Sequence, residues 1–278
     1  MQSYFTEKDD FLAIIRQHVP RVIDSSVSFI KTGWTNIVIC ASDGEDEYFF
    51  RFPRNAFFAR MMLKDHAFCT FIKDKITFHV PQLQLFHDNN RPFSMHRKIH
   101  GWSLSERLKF LSQQAITNVA YDTVRLIKEL DRVDPRSLPR ACNMYVSKFL
   151  DELSTVSGQP YDEDKMAPLR REENEPHVVH GDLNPGNILL DERDRVIGVI
   201  DFAFAGISGR CTDISRMIGR TTEAFKRPLL KAYRFVMRRP IDGKQAEKIV
   251  HLWNHVEERY IEYIRKNHPE IQLPEKVK

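Results

Sequence analysis

The stretch that decides the fold reads HGDLNPGN at residues 180–187 and, after an apolar segment, IDF at residues 200–202. It places one carboxylate, Asp182, five residues before an amide, Asn187, and nineteen residues before a second carboxylate, Asp201. Transfer of a nucleotide phosphate needs such a set. One Asp orients the attacking hydroxyl and accepts its proton, while an Asn and a second Asp hold the Mg²⁺ ions that bridge the phosphates. The segment therefore predicts a site for phosphoryl transfer.

The residues between these polar groups predict a β-hairpin. Residues 188–190 and 196–200 are apolar runs rich in β-branched side chains, and residues 191–195 between them are polar. Asn187 would then stand just before the first strand and Asp201 just after the second, so the hairpin brings both to one end. Asp and Asn near a hairpin are often turn residues only. The complete arrangement is far more specific than an isolated H-x-D.

At these residues the chain resembles the aminoglycoside phosphotransferase family, a branch of the protein-kinase-like fold shared with choline kinase-like enzymes. The pattern H-G-D-x-x-P-x-N is the small-molecule kinase form of the catalytic loop. Gly181 and Asn184 stand where protein kinases usually have an Arg and a Lys. The resemblance is strongest over residues 177–216 and implies a kinase-like fold for the rest of the chain.

The resemblance also implies roles for individual residues. Asp182 would be the catalytic base, Asn187 and Asp201 the Mg²⁺ ligands, and His180 a residue that orients the loop. Asp213 matches a structural Asp of the family, which we interpret as a helix N-cap or a loop anchor rather than a catalytic group. The expected cofactors are Mg²⁺ and either ATP or GTP as phosphate donor, and the expected partner is a small-molecule acceptor.

The composition limits the classes of protein and of partner that are compatible with this interpretation. The 278 residues are 42% apolar and 29% charged, typical of a globular protein long enough for two lobes. A net charge of +4 is too small to indicate a nucleic-acid partner. Four cysteines without a C-x-x-C pair fit a reducing compartment. With no signal-peptide core and no apolar run long enough for a membrane span, we expect a cytoplasmic protein without membrane contact, monomeric or weakly dimeric.

The pattern along the chain predicts an α+β, bilobal protein-kinase-like fold. A small antiparallel-sheet N-lobe over residues 1–98 would bind nucleotide, and a larger, mainly helical C-lobe over residues 99–278 would carry the catalytic loop and the acceptor-binding helices. The predicted N-lobe elements are helices at 7–18 and 56–73 and strands at 27–30, 37–41, 47–52, 78–80, 84–86 and 92–99.

The predicted C-lobe begins with a capping box. Ser103 and Glu106 have the required spacing, and apolar residues then recur every three or four positions to Leu130, which predicts a long helix with a break near Ser112. Further helices are predicted at 144–156, 220–239 and 243–266, and a polar loop at 158–174.

A cation that grips phosphate is expected on the third strand. There is no lysine between Lys31 and Lys64, and Arg51 occupies the corresponding place. Strand alternation puts Arg51 on the face opposite its Phe neighbours. Its predicted helix partner is Asp65, where the family usually has Glu. Arg is not equivalent to Lys, because its planar fork binds phosphate or carboxylate with a different geometry.

Other nucleotide contacts are predicted in the first turn and near the junction of the lobes. The turn lacks G-x-G-x-x-G, so Gly33 alone gives backbone access, with Thr35, Asn36 and Thr32 as donors. Met95 and Arg97 bracket the segment expected near the hinge, where a purine would bond to backbone. ATP and GTP are not distinguished by these residues.

The acceptor is the least defined partner. An aminoglycoside is a polycation and needs carboxylates, for which residues 162–164 and 172–175 and Glu257, Glu258 and Glu262 are candidates. Seven basic side chains within 220–239 would instead favour an anionic or neutral acceptor if they face the site. Two alternatives remain: a protein kinase of the same fold, and a nucleotide-binding pseudokinase.

Overall fold

The computed structural model describes residues 4–6, 8–31 and 34–269 of the chain. The strands are β1 (Ser28–Ile30), β2 (Asn36–Ser42), β3 (Glu47–Pro53), β4 (Gln84–Asp88), β5 (Arg91–Arg97), β6 (Trp102–Ser103), β7 (His177–Val179), β8 (Ile188–Leu190), β9 (Val196–Val199) and β10 (Gly206–Ser208). The helices are α1 (Phe11–His18), α2 (Ala56–Ile72), α3 (Leu104–Arg107), α4 (Gln113–Asp131), α5 (Val146–Ser157), α6 (Glu163–Glu172), α7 (Cys211–Gly219), α8 (Glu223–Met237) and α9 (Gly243–Asn267).

The small lobe is built on an antiparallel sheet in the order β1-β2-β3-β5-β4. Phe50 and Phe52 are completely buried on one face of β3, where α1 packs through Phe11. Arg51 lies on the other face, as strand alternation predicts. Helix α1 begins at Phe11 because the side chain of Asp10 caps it.

The strand predicted at 78–80 does not form. His79 makes only an isolated bridge to the larger lobe: its N–H donates to Ile197 O at 2.8 Å, and its carbonyl accepts from Val199 N at 2.9 Å. Pro81 has no N–H with which to extend the pairing. Phe78 is buried in the larger lobe's core together with the second half of α2. This segment therefore joins the lobes, and the hydrophobic packing is not divided at residue 98.

The larger lobe begins as the capping box predicts. Ser103 and Glu106 exchange the two reciprocal hydrogen bonds that start α3. A 3-10 turn follows, and Ser112 caps the start of α4, which confirms the predicted break. Helix α4 packs lengthwise against α8, and α7 packs against α9.

The polar loop predicted at 158–174 is wrong, because α6 occupies most of it. Gly158 ends α5 in the left-handed conformation, and the side chain of Asp162 caps α6. Met166 and Leu169, one turn apart, are completely buried beside α9. An internal Pro and many charges hide this short apolar face in the sequence.

Among the described helices, none combines the length and apolarity needed to cross a membrane.

Candidate active site

The predicted hairpin brings the three polar groups to one place. In β8 and β9, Ile188 lies opposite Val199, and Ile200 N donates to Asn187 O at 3.0 Å. Asn187 in turn donates from Nδ2 to the carbonyl of Asp182 at 3.0 Å. Asp182, Asn187 and Asp201 all line one cleft between the lobes, with a volume of about 1080 Å³.

Asp213 anchors the backbone of residues 180–187, the predicted catalytic loop. Its carboxylate accepts hydrogen bonds from His180 N and Gly181 N, each at 2.9 Å, and the residue is completely enclosed. Burial raises the pKa of Asp213, although the two backbone donors act in the opposite direction. Asp213 is the third residue of α7, so it is the loop anchor rather than the N-cap.

His180 links the catalytic loop to the segment that carries Asp201. Its Nδ1 accepts from Asp182 N at 3.3 Å, and its Nε2 lies 3.0 Å from the carbonyl of Ile200. These contacts assign the ring proton to Nε2, because a carbonyl oxygen can only accept. The ring also packs on Phe202, with centroids 4.6 Å apart. The geometry supports the orienting role that the resemblance implies.

The backbone around these residues explains why glycine stands at position 181. Gly181 has a φ of +80°, and a Cβ there would lie 2.3 Å from Phe204 O. An Arg, as in protein kinases, could not occupy this position without moving the loop. Asp201 also has a positive φ, +66°, a conformation that Asp tolerates better than most residues.

Arg51 and Asp65 form the predicted pair. Their side chains are in direct contact, and Asp65 is only 1% exposed. Asp65 also accepts a hydrogen bond from Phe202 N at 3.2 Å, while Arg51 lies 3.7 Å from the Asp201 carboxylate. The pair therefore connects β3 and α2 to the segment that carries Asp201.

Asn187 and Asp201 have the donor atoms that Mg²⁺ prefers. Asn187 uses Nδ2 for the bond to Asp182, which leaves Oδ1 for a cation. Loss of hydration in the cleft raises the pKa of Asp201, and the carboxylates of Asp65 and Asp182 add to this effect while Arg51 opposes it. The described residues contain no group of three His, Cys, Asp or Glu arranged around a metal. Two oxygen ligands still fit Mg²⁺ that arrives with nucleotide phosphates and water.

The small lobe supplies the other wall of the cleft. Thr35 and Asn36 line it, and Asn36 Nδ2 donates to Thr35 Oγ1 at 2.8 Å. Gly33, predicted to approach a phosphate, lies outside the described residues together with Thr32. Met95 packs into the small-lobe core, and the Arg97 side chain pairs with Asp46 at 3.0 Å. Met95 and Arg97 could therefore reach a nucleotide only through their backbone.

His96, which lies between Met95 and Arg97 on β5, faces the cleft. It lies on β5 opposite Phe49, and the two rings are 5.6 Å apart. Burial lowers the pKa of His96 to about 4, with the neighbouring Arg51 acting in the same direction, so the ring is neutral at physiological pH. Alternation along β5, which puts His96 on the face opposite Met95 and Arg97, could have identified this residue.

Arg216 is the principal site residue that the sequence did not reveal. Its Nε donates to Asp182 Oδ1 at 2.6 Å, and its guanidinium carbon lies 4.7 Å from the centre of the Trp253 ring. Arg216 follows Asp213 by three residues on α7, so both project from one face of that helix. One turn of α7 therefore holds the backbone of the catalytic loop and the side chain of Asp182.

Most of the charged clusters considered for the acceptor lie elsewhere. Asp162 caps α6, and Glu173 accepts hydrogen bonds from Ser147 in the interior. Of the acidic candidates, Glu257 lines the cleft, and it is paired with Arg220. The basic residues of α8 do not line the described walls of the cleft, because that helix packs on α4.

Comparison with known proteins finds the same fold in solved phosphotransferase structures. The chain is similar over about its whole length to the GDP complex of wild-type aminoglycoside 2'-phosphotransferase-IIIa, with 19% identity, a TM-score of 0.70 and coverage of 96% of this chain and 95% of that one. An aminoglycoside-3'-phosphotransferase of type VIII shows 18% identity, a TM-score of 0.69 and coverage of 91% and 98%. The macrolide 2'-phosphotransferase MphH from Brachybacterium faecium shows 12% identity, a TM-score of 0.64 and coverage of 96% and 99%.

These likenesses confirm the bilobal kinase-like α+β fold. No match was found among curated proteins. The model of one family, described as the phosphotransferase enzyme family, matches residues 26–242, which is more than half of the chain. The chain belongs to the phosphotransferase enzyme family.

Proposed function

We propose that the protein transfers the γ-phosphate of ATP or GTP, as its Mg²⁺ complex, to a hydroxyl of a small molecule. The observation that carries the proposal is the meeting of Asp182, Asn187 and Asp201 in one cleft. A chain that merely kept the fold would have no need to hold all three around the same space. Relatives solved with GDP and with ADP support a nucleotide as the donor.

In this proposal Asp182 positions the acceptor hydroxyl and takes its proton as the phosphate transfers. Arg216 holds Oδ1 of the carboxylate, so that Oδ2 can face the hydroxyl. His180 and Asp213 fix the loop on which Asp182 stands. Positioning of this kind removes much of the entropic part of the barrier.

The phosphates would lie between Arg51 and the hairpin end. Mg²⁺ held by Asn187 and Asp201 would offset the negative charge on the transferring group. Arg51 keeps its contact with Asp65 and lies near Asp201, so it can direct its remaining donors at the phosphates. Thr35 and Asn36, which line the cleft, would contact them from the first turn.

The resemblance favours an aminoglycoside or a similar alcohol or amino alcohol as the acceptor. Relatives named for aminoglycosides and for macrolides share the fold. Both groups therefore belong in the first panel of acceptors to be tested. A protein acceptor has no comparable support from the cleft.

The direct test is to look for a new phosphomonoester by phosphorus NMR after incubation with ATP or GTP, Mg²⁺ and each acceptor of such a panel. We expect the ester to appear with at least one alcohol and to require Mg²⁺. Asp182→Asn provides the blank. Tight nucleotide binding without ester formation from any alcohol would support the pseudokinase alternative instead.

Arg51→Lys is expected to raise the KM for nucleotide about 3- to 10-fold, because Lys keeps the charge but cannot reach Asp65 and the phosphates with a planar fork. Steady-state kinetics with varied nucleotide measure the change. Arg91→Lys is a matched control, because Arg91 also bridges two carboxylates, Asp9 at 2.6 Å and Asp88 at 2.5 Å, in the same lobe. Equal effects of the two changes would indicate a structural role only.

Arg216→Ala is expected to lower kcat about 10- to 100-fold with little change in the KM for nucleotide, because Asp182 loses the partner that aims it. Arg216→Lys should recover part of the loss. Arg195→Ala, which breaks the contact with the buried carboxylate of Asp122, is the control for general destabilisation. A parallel rise in the KM for nucleotide would contradict this positioning role.

A further inference from the structure

The part of the cleft beside Asp182 that is walled by α5, α7 and α9 is called here the acceptor half. Its walls are mainly apolar, and six side chains account for most of this character: Trp34, Leu153, Phe204, Trp253, Val256 and Tyr260. Four of the six are aromatic. Aromatic faces bind flat apolar surfaces and the apolar faces of sugar rings without requiring charge.

The charged groups of the acceptor half are already paired with one another. Arg216 binds Asp182 at 2.6 Å, with side chains 9% and 19% exposed. Arg220 is in direct contact with Glu257. Two arginines and two carboxylates therefore leave this region without net charge. On the opposite wall, Glu106 accepts two hydrogen bonds from Ser103, which is uncharged, so Glu106 keeps its negative charge.

Acidic residues farther along α9 do not change this balance. Glu258 is exposed and is absent from the described walls of the cleft. Glu262 is also exposed and pairs with Arg259 at 3.2 Å. The aromatic side chains of the walls pack on one another. The ring centroids of Trp34 and Tyr260 are 5.5 Å apart, and those of Phe204 and Trp253 are 5.9 Å apart.

From these walls we infer that the acceptor is an uncharged alcohol with one flat apolar face. Along the described walls a polyammonium compound would find Glu106 as a carboxylate without a cationic partner, and to reach any of the others it would have to break an existing ion pair. An anionic acceptor would have to share Arg216 or Arg220 with the carboxylate that each already holds, which brings two negative charges together. Separating a pair instead leaves a partly buried charge without its partner, which is costly. An uncharged acceptor keeps both pairs and covers the aromatic side chains.

This inference rests on the proposed function for the position of the reacting hydroxyl, but it can be tested by binding alone. Three probes share one scaffold and differ in charge: phenyl β-glucoside, its 2-amino analogue and phenyl β-glucuronide. Kanamycin adds a polycation. Isothermal titration of the full chain at two salt concentrations gives the affinity of each probe and its salt dependence.

We expect the uncharged glucoside to bind at least about 10-fold more tightly than either charged analogue, with little dependence on salt. Tightest binding by the amino analogue or kanamycin, weakened by salt, would overturn the inference. So would tightest binding by the glucuronide, or no binding by the glucoside at millimolar concentration.

A variant tests whether the pairing of Glu257 with Arg220 disfavours a positively charged acceptor. Arg220→Ala leaves the Glu257 carboxylate unpaired, so the affinity for the amino analogue relative to the glucoside should rise about 3- to 10-fold. Adding Glu257→Gln to that variant should remove the gain. If Arg220→Ala is folded by thermal unfolding but the ratio of the two affinities is unchanged, the proposal that an unpaired Glu257 attracts the amino analogue is contradicted.

The failure of this inference and the failure of the proposed function can be separated. Phosphorylation of kanamycin with tight binding would support phosphate transfer and overturn the uncharged acceptor. Selective binding of the glucoside, with no phosphate transferred to any alcohol, would support the selectivity of the acceptor half for uncharged compounds and contradict the transfer reaction.

Discussion

Asp182→Asn is expected to lower kcat for phosphate transfer by about 10²- to 10⁴-fold, the range that a positioned general base contributes. The amide keeps the size of the side chain and can still hydrogen-bond to the acceptor, but it cannot take the proton. Nucleotide affinity should stay close to that of the wild type, because Asp182 is not assigned to the metal or the phosphates. Steady-state kinetics and nucleotide titration measure the two effects separately.

The control for this variant concerns Arg216, which loses a charged partner and remains only 9% exposed. Thermal unfolding must show that the protein still folds, and the double variant Asp182→Asn with Arg216→Gln removes the uncompensated charge. If the double variant is as inactive as Asp182→Asn alone, the loss of activity results from the loss of the Asp182 carboxylate as a base. Recovery of activity in the double variant would show instead that an unpaired Arg216 was the cause.

Asp201→Asn is expected to weaken binding of Mg-nucleotide on the order of 100-fold, about 3 kcal/mol. In the proposed site Asp201 is the negatively charged Mg²⁺ ligand beside Asn187, and an amide does not replace its charge. Asn is the suitable replacement because it also tolerates the left-handed backbone at this position. Titration with nucleotide at several Mg²⁺ concentrations measures the change.

The same titration without Mg²⁺ is the internal control for Asp201. The wild type and the variant should bind nucleotide with similar, weak affinity when the metal is removed by a chelator. A variant that keeps the Mg²⁺ dependence of the wild type would mean that Asp201 is not a ligand. Asp65→Asn provides a further comparison, because Asp65 contacts Arg51 without being assigned to the metal.

Local features of the chain were predictable wherever neighbouring residues determine them. The hairpin of β8 and β9 follows from two apolar runs and a polar turn, and the structure has the first strand at Ile188–Leu190, as predicted. The face of Arg51 follows from alternation between two completely buried Phe residues. The capping box at Ser103 needs only residues three apart.

Features that depend on distant partners were not predictable in the same way. Helix α6 is stabilised by two buried side chains against α9, a contact about 80 residues away in sequence, and local polarity outweighs that signal. The segment at 78–80 has strand-like residues but finds its partner in the other lobe. Arg216 acquires its role only because α7 folds against the catalytic loop.

The central claim is that acceptor hydroxyl, Asp182 and Mg-nucleotide meet in one cleft. The most direct measurement is the rate of ADP and GDP release with and without an added alcohol, in the wild type and in Asp182→Asn. We expect the alcohol to stimulate release in the wild type only, and only with Mg²⁺. Stimulation of equal size in Asp182→Asn would contradict the account.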